Sequence, residues 1–155
     1  MMRTVIQRVS HASVTIDGKV HGKTEKGYMI LVGMHDADDE EIVRKMAVKI
    51  ANLRIFEDEN GKMNLNLKQV NGSVLSISQF TLYADCRKGN RPSFNGSGDP
   101  VHAEKLWHLF NEEMRKLGFH VEEGIFGADM KVDLLNDGPV TILLDSDEVI
   151  RKEKK

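Results

Sequence analysis

The sequence predicts one α/β (α+β) domain with a largely antiparallel, barrel-like β core flanked by two helices. Three observations point there. Roughly seven or eight short apolar or alternating stretches are separated by Gly, Asn and Asp turn signals. Only two segments carry helical periodicity. The chain has 155 residues, with 40% hydrophobic and 30% charged side chains, the composition of a globular chain. That length suits one domain of ~100–200 residues and a core that needs no covalent staples.

Val5, Val9, Val14 and Ile16 mark a first strand over Thr4 to Ile16, and Asp17-Gly18 supplies a hairpin turn into Val20 to Lys23. Tyr28 to Val32 is almost continuously apolar, which suits a strand covered on both faces. Asp38 with Glu41 three residues on predicts a capping box, after which Ile42, Met46, Ile50 and Leu53 recur at helical spacing. Leu53 to Phe56 and Met63 to Leu67 flank Asp58-Glu59-Asn60-Gly61, a further hairpin signal. Val74 to Leu82 reads as a strong strand, interrupted by the polar pair Ser78-Gln79. Ala84 to Asp99 is a loop. Asp99 then caps a second helix with Pro100 in its first position, and Gly118 closes it. Ala103, Leu106, Trp107, Phe110, Met114 and Leu117 form its apolar stripe. Val121 to Phe126, Met130 to Leu135 and Val140 to Leu144 read as three closing strands. The domain spans residues 1–150, and Arg151 to Lys155 is a charged tail.

Composition also excludes. Lys and Arg number 22 and Asp and Glu 24, for a net charge of −2, so bulk charge gives no sign of nucleic-acid binding. No stretch of ~18 apolar residues is present, which argues against a membrane span. The start has no apolar signal core, and a single cysteine, Cys86, cannot form an internal disulfide. A reducing, cytoplasmic compartment is expected. There is no G-x-G-x-x-G, no P-loop, no G-x-S-x-G and no H-E-x-x-H. No metal and no cofactor are expected. Gly96-Ser97-Gly98 and Cys86 read as plain loop and incidental thiol.

Two segments resist explanation as core. Ser78-Gln79-Phe80-Thr81-Leu82 places polar groups inside an apolar strand, where unpaired they would cost ~1–3 kcal/mol each. Asn136-Asp137-Gly138-Pro139-Val140-Thr141 runs from a Gly-Pro pair straight into a strand, and alone reads as a turn. Together they resemble the two signature motifs of the D-aminoacyl-tRNA deacylases. Val5-Ile6-Gln7-Arg8-Val9 is similar to the first strand of that family, Lys88-Gly89-Asn90-Arg91-Pro92-Ser93-Phe94 to its central loop, and Phe126-Gly127-Ala128-Asp129-Met130 to the approach to its last hairpin. The five motifs stand in the family's order, and the resemblance runs over nearly the whole chain. The departures are an extra residue at the start and the charged tail.

The resemblance implies hydrolysis of the ester between a D-amino acid and the 3′-terminal ribose of tRNA, with glycine also removed from tRNA charged in error. It implies a homodimer with active sites at the subunit interface and no cofactor or metal. Ser78, Gln79, Phe80 and Thr81 would form the catalytic pocket. Gly138 and Pro139, as a Gly-cisPro pair, would enter the site of the opposite subunit and reject L-amino acids by clash. Arg8 would hold that loop, its guanidinium being suited to several carbonyls at once. Met130 would line the pocket or fill core. Arg87, Lys88 and Arg91 are candidates for the phosphates of the tRNA end. Thr81 is either the nucleophile of an acyl-enzyme or a bystander to direct attack by water assisted by the ribose 2′-hydroxyl. The competing reading is a non-catalytic nucleic-acid-binding protein on the same scaffold.

Overall fold

The structure, a computed structural model, describes residues 1–150. Its spine is β1 (Arg3–Ile16), which pairs antiparallel with three strands. Along one edge it meets β3 (Gly27–Gly33) through Arg3 to Val9, then β2 (Lys19–Thr24) through Ala12 to Ile16. Along the other edge it carries β8 (Lys131–Asp145) over almost its full length. The two neighbours on that edge follow one another along β1. The sheet continues from β3 through two parallel pairings, to β6 (Ser73–Ser78) and then β7 (Val121–Glu123). Its order is β2-β1-β3-β6-β7, with β8 on β1. Between the ends of that path, the backbone amide of Lys23 on β2 donates to Glu122 Oε1 on β7 at 3.0 Å. A carboxylate thus stands in for part of a ladder, and the barrel nearly closes. A hydrogen bond from His120, ahead of the Lys23 amide, holds Glu122 below the ordinary carboxylate range.

Helices α1 (Glu40–Asn52) and α2 (Pro100–Lys116) pack against the sheet and each other. Val43, Met46 and Ile50 meet Leu106, Phe110 and Met114 above Ile6, Tyr28, Ile30 and Val74 in the main core. A second cluster of Val9, Ala12, Val14, Met29, Leu75 and Ile77 fills the opposite side of the sheet. β3 divides the two. Tyr28, Ile30 and Val32 face the helices, while Met29 and Leu31 face the second cluster. That is the physical reason for its unbroken apolar run. Each such fully buried side chain contributes about 1.5–3 kcal/mol.

The structure corrects several element boundaries. Asp39, not Asp38, caps α1, accepting from the Ile42 amide at 2.9 Å. Asp38 is buried and accepts instead from the Met1 ammonium and from the His35 amide at 2.7 Å. Paired this way, it is withdrawn from the helix. The central hairpin shrinks to β4 (Phe56–Glu57) and β5 (Met63–Leu65). The strand expected to reach Leu82 stops at Ser78, and Phe80–Tyr83 form a 3-10 turn. The strand expected to reach Phe126 stops at Glu123. The last two expected strands are one, since both halves pair with β1. A short α3 (Ser146–Val149) follows. The expected cap of α2 stands as read: Asp99 accepts from the His102 amide and Pro100 takes the first turn. Gly118 follows that helix with φ +100. The tail Arg151 to Lys155 lies outside the described residues.

Candidate active site

The chain leaves the sheet at the end of β6 for a reason on its neighbour. The Gln79 amide still reaches Val32 O on β3 at 2.8 Å, one residue beyond the strand. Tyr83 then turns inward, its hydroxyl donating to Gly33 O at 2.9 Å. Burial, first among its causes, raises the phenol pKa, so the hydroxyl stays a donor. Gly33 makes room for that ring: a Cβ there would lie 2.8 Å from Tyr83 Cε2 and 3.2 Å from Gln79 O. With Tyr83 tucked in, Phe80 and Thr81 face outward. The bonds of the turn run from Leu82 N to Gln79 O and from Ala84 N to Thr81 O. Among the described residues the amides of Phe80 and Thr81 meet no acceptor, as expected at the start of such a turn. Two free donors on adjacent residues suit an oxygen that gains negative charge.

A cavity of about 490 Å³ opens beside this turn. Ser78, Gln79 and Phe80 bound it on one side, the end of β3 on another, and Trp107 and Phe126 lie across it. Trp107 is fixed from beneath, its Nε1–H donating to the fully buried Ser76 Oγ at 2.9 Å. Met130 also lines this cavity while packing on the second core cluster. Gly124 seats it, because a Cβ there would run into Met130 Sδ. At the rim, Phe80 is 59% exposed and stands edge-on to Phe94 of the long loop, ring centroids 5.1 Å apart. The Thr81 side chain is exposed next to the cavity. Among the described residues its hydroxyl has one hydrogen bond, accepted from Gln79 Nε2. Among the described residues neither histidine nor lysine hydrogen-bonds to it.

Gly138 and Pro139 lie elsewhere. In the β1–β8 ladder Gln7 pairs with Thr141 and Val9 with Asn136, so four residues, Asp137 to Val140, stand opposite Arg8 alone. This is an enlarged bulge, which pushes backbone out of the sheet. Its tip, Gly138 and Pro139, is exposed and linked by a cis peptide bond. Neither residue lines the cavity of its own chain. Arg8, only 4% exposed, lies behind the bulge. It donates through Nε to Asp137 O and through Nη1 to Ile55 O, both at 2.7 Å, with Glu57 3.9 Å from Nη2. The bulge is therefore tied to the barrel at the carbonyl just before Gly138.

The basic residues form a third group on the loop after the 3-10 turn. Arg87 makes a two-pronged contact with Asp85, Nε to Oδ1 at 2.9 Å and Nη2 to Oδ2 at 2.8 Å. That contact pulls the Asp85 carboxyl down to about 2. Lys88 and Arg91 are exposed and, among the described residues, free of ion pairs. Ser78, Gln79, Phe80 and Met130 thus line one cavity, Thr81 lies beside them without lining it, Arg8 joins Gly138 and Pro139, and Arg87, Lys88 and Arg91 share one loop. Sequence reasoning missed Gly33 and Ser76, and read Trp107 only as part of a helix stripe and Asn136 only as part of a motif. Gly33, closing an apolar strand, was the one with a readable signal. Among the described residues no group of three or more His, Cys, Asp or Glu is placed to hold a metal ion, and no helix is long and apolar enough to cross a membrane.

Comparison with known proteins bears on this arrangement. The D-Tyr-tRNA(Tyr) deacylase family matches residues 5–145. A D-aminoacyl-tRNA deacylase of Lactobacillus acidophilus is 59% identical over 144 residues, 93% of this chain and 99% of that one. One from Bifidobacterium adolescentis is 54% identical, covering 96% of this chain and 99% of its own. A solved structure named c-Myc DNA Unwinding Element Binding Protein superposes with TM-score 0.86 at 38% identity, over 92% of this chain and 97% of that one. A probable eukaryotic D-amino acid tRNA deacylase, 16% identical, superposes with TM-score 0.80 over 92% and 98% of the two chains, a likeness of fold. The long match across both polar motifs and the strands that carry them leaves one conclusion: the chain belongs to the D-aminoacyl-tRNA deacylase family, hydrolases of the ester that joins a D-amino acid to tRNA.

Proposed function

We propose that this protein removes D-amino acids from tRNA in the cytoplasm as a homodimer, each active site combining the cavity of one subunit with the Gly138–Pro139 bulge of the other. One observation carries the reading: the bulge tip is exposed, braced from behind by Arg8, and absent from the cavity of its own chain. Its natural place is in a neighbour's cavity. β8 supports this, since among the described residues it pairs with β1 alone and presents Leu135 and Leu143, 53% and 74% exposed, on either side of the bulge. An L-side chain would be driven against the bulge backbone, whereas a D-side chain would point away. Glycine has no side chain to exclude, so glycyl-tRNA formed on tRNA-Ala is a substrate as well.

Attack is by water, with the ribose 2′-hydroxyl helping to orient it. The water oxygen bonds to the ester carbonyl carbon, whose oxygen takes the charge beside the Phe80 and Thr81 amides. The bond to the ribose 3′-oxygen then breaks, and the proton lost by water passes to that oxygen. Thr81 is a bystander: its hydroxyl accepts from Gln79, and among the described residues no base is hydrogen-bonded to it. Lys88 and Arg91, with Arg87, meet phosphates near the tRNA end.

The test is release of amino acid from D-tyrosyl-tRNA and L-tyrosyl-tRNA, with the mass of the protein in solution measured alongside. Release of the D-form alone by a dimer is expected. A monomer that discriminates fully would overturn the shared site. The likeness to a DNA-element-binding protein favours a second reading, a nucleic-acid binder without catalysis. Equal binding of both charged tRNAs with no hydrolysis would establish it.

A further inference from the structure

The bulge that carries Gly138 and Pro139 has a neck, and one side chain closes it. Asn136 is the last β8 residue paired before the excursion, opposite Val9, and Thr141 is the first after it, opposite Gln7. Across that gap Asn136 Oδ1 accepts from the Val140 amide at 2.7 Å, and Nδ2 donates to Val140 O at 3.0 Å. Both backbone polar groups of Val140, lifted out of the ladder, are thus satisfied by one amide. The second Nδ2 hydrogen goes to Gln7 Oε1 at 2.8 Å, and the Thr141 hydroxyl donates to the same oxygen at 3.3 Å. Asn136 therefore ties the far side of the excursion to its near side and to β1. Arg8 holds the loop at one other point, Asp137 O. Between these anchors only Gly138 and Pro139 are free of side-chain restraint.

We propose that Asn136, supported by Gln7, is a positioning residue for stereospecificity: it fixes the direction in which the Gly138 and Pro139 backbone faces the substrate. This rests on the reading that the bulge is the chiral filter. Exclusion by clash tolerates little movement, because a backbone that swings by ~1 Å admits the side chain it should refuse. A misplacement of that size costs on the order of 10²-fold where geometry decides a rate. Asparagine suits the post because it offers a donor and an acceptor on one short stem. Aspartate would keep the bond from the Val140 amide and lose the bond to Val140 O, and alanine would lose both.

Single-turnover deacylation of D-tyrosyl-tRNA and L-tyrosyl-tRNA is measured for the full-length protein and for Asn136→Ala, Asn136→Asp and Gln7→Ala, with thermal unfolding of each. The D-to-L rate ratio is expected to fall on the order of 10²-fold in Asn136→Ala, about tenfold in Asn136→Asp and least in Gln7→Ala. A purely structural role would lower the melting temperature and leave the ratio unmoved. A folded Asn136→Ala protein whose ratio stays within about twofold of wild type overturns the proposal. Should that variant not fold, an unchanged ratio in Asn136→Asp does so. Pro139→Ala separates the two claims. If it leaves the ratio intact, the filter reading fails and this inference with it; if it abolishes the ratio while the Asn136 variants do not, the inference alone fails.

Discussion

β6 and β8 each run into a polar interruption, and they resolve it in opposite ways. β6 ends: after Ser78 the backbone tightens into the 3-10 turn of Phe80–Tyr83, and two amides are left, among the described residues, without acceptors beside a cavity. β8 does not end. It throws out Asp137 to Val140 opposite Arg8, then returns to the same neighbour with its register shifted. The first device creates unsatisfied donors, the property wanted where charge develops. The second satisfies its displaced groups through Arg8 and Asn136 and leaves only bare backbone at its tip, the property wanted of a steric wall. On the proposed function, chemistry and selection are held on different strands with different kinds of support.

Breaking the wall has the largest expected effect. Gly138 has φ +151, and a Cβ there would lie 2.7 Å from Val140 Cγ2, 2.8 Å from Val140 N and 3.2 Å from Arg8 Nη2. Two of those atoms belong to the restraints that hold the loop, so the strain cannot be relieved locally. Gly138→Ala is expected to cost about 1–3 kcal/mol in unfolding free energy. It should also lower the D-to-L ratio on the order of 10²-fold, read from rates on the two tyrosyl-tRNAs. An unchanged ratio would erase the contrast between the two regions.

Thr81→Ala sharpens the other half. If Thr81 were the nucleophile of an acyl-enzyme, its loss would cost on the order of 10⁴-fold or more in kcat. If it serves only as acceptor for Gln79, the loss is that of one hydrogen bond, about tenfold or less. The second outcome is expected, with substrate binding intact.

The same contrast explains what could be read from the sequence. Helix α2 was legible at both ends because Asp99, Pro100 and Gly118 act on their own neighbours. The cap of α1 slipped by one residue because Asp38 is engaged by groups brought to it in space. Phe80 and Leu82 continue a strand-like alternation, and the turn that breaks it is set by Tyr83 reaching Gly33, fifty positions away in the chain. Gly138-Pro139 signals a turn, and only the pairing of both flanks with β1 makes it a bulge. The site residues came from resemblance to a family. Their supports, Ser76 under Trp107 and Asn136 across the bulge neck, depend on contacts that no local pattern announces.

The smallest expected effect separates cations that composition treats alike. Arg87 is 88% exposed, yet its guanidinium is matched to Asp85, whereas Lys88 and Arg91 are unpaired among the described residues. Lys88→Ala or Arg91→Ala should flatten the dependence of log affinity on log salt by about 0.7–0.9 for each phosphate no longer neutralised, and Arg87→Ala by less. The carboxyl of Asp85 is held down to about 2, first by the Arg87 side chain and then by its amide. A depressed folded pKa means the pair is present above the ordinary carboxylate value and is lost only as pH falls through about 2. Lowering the pH from neutral to about 5 therefore leaves Arg87 matched, and its small share of RNA affinity should not rise over that range. Asp85→Asn frees Arg87 at neutral pH, and the salt dependence should then steepen toward that of a loop with all of Arg87, Lys88 and Arg91 available. A titration of tRNA binding against salt for the Arg87→Ala and Asp85→Asn variants distinguishes these cases, and an Asp85→Asn slope equal to wild type would mean that the loop meets no phosphate at Arg87.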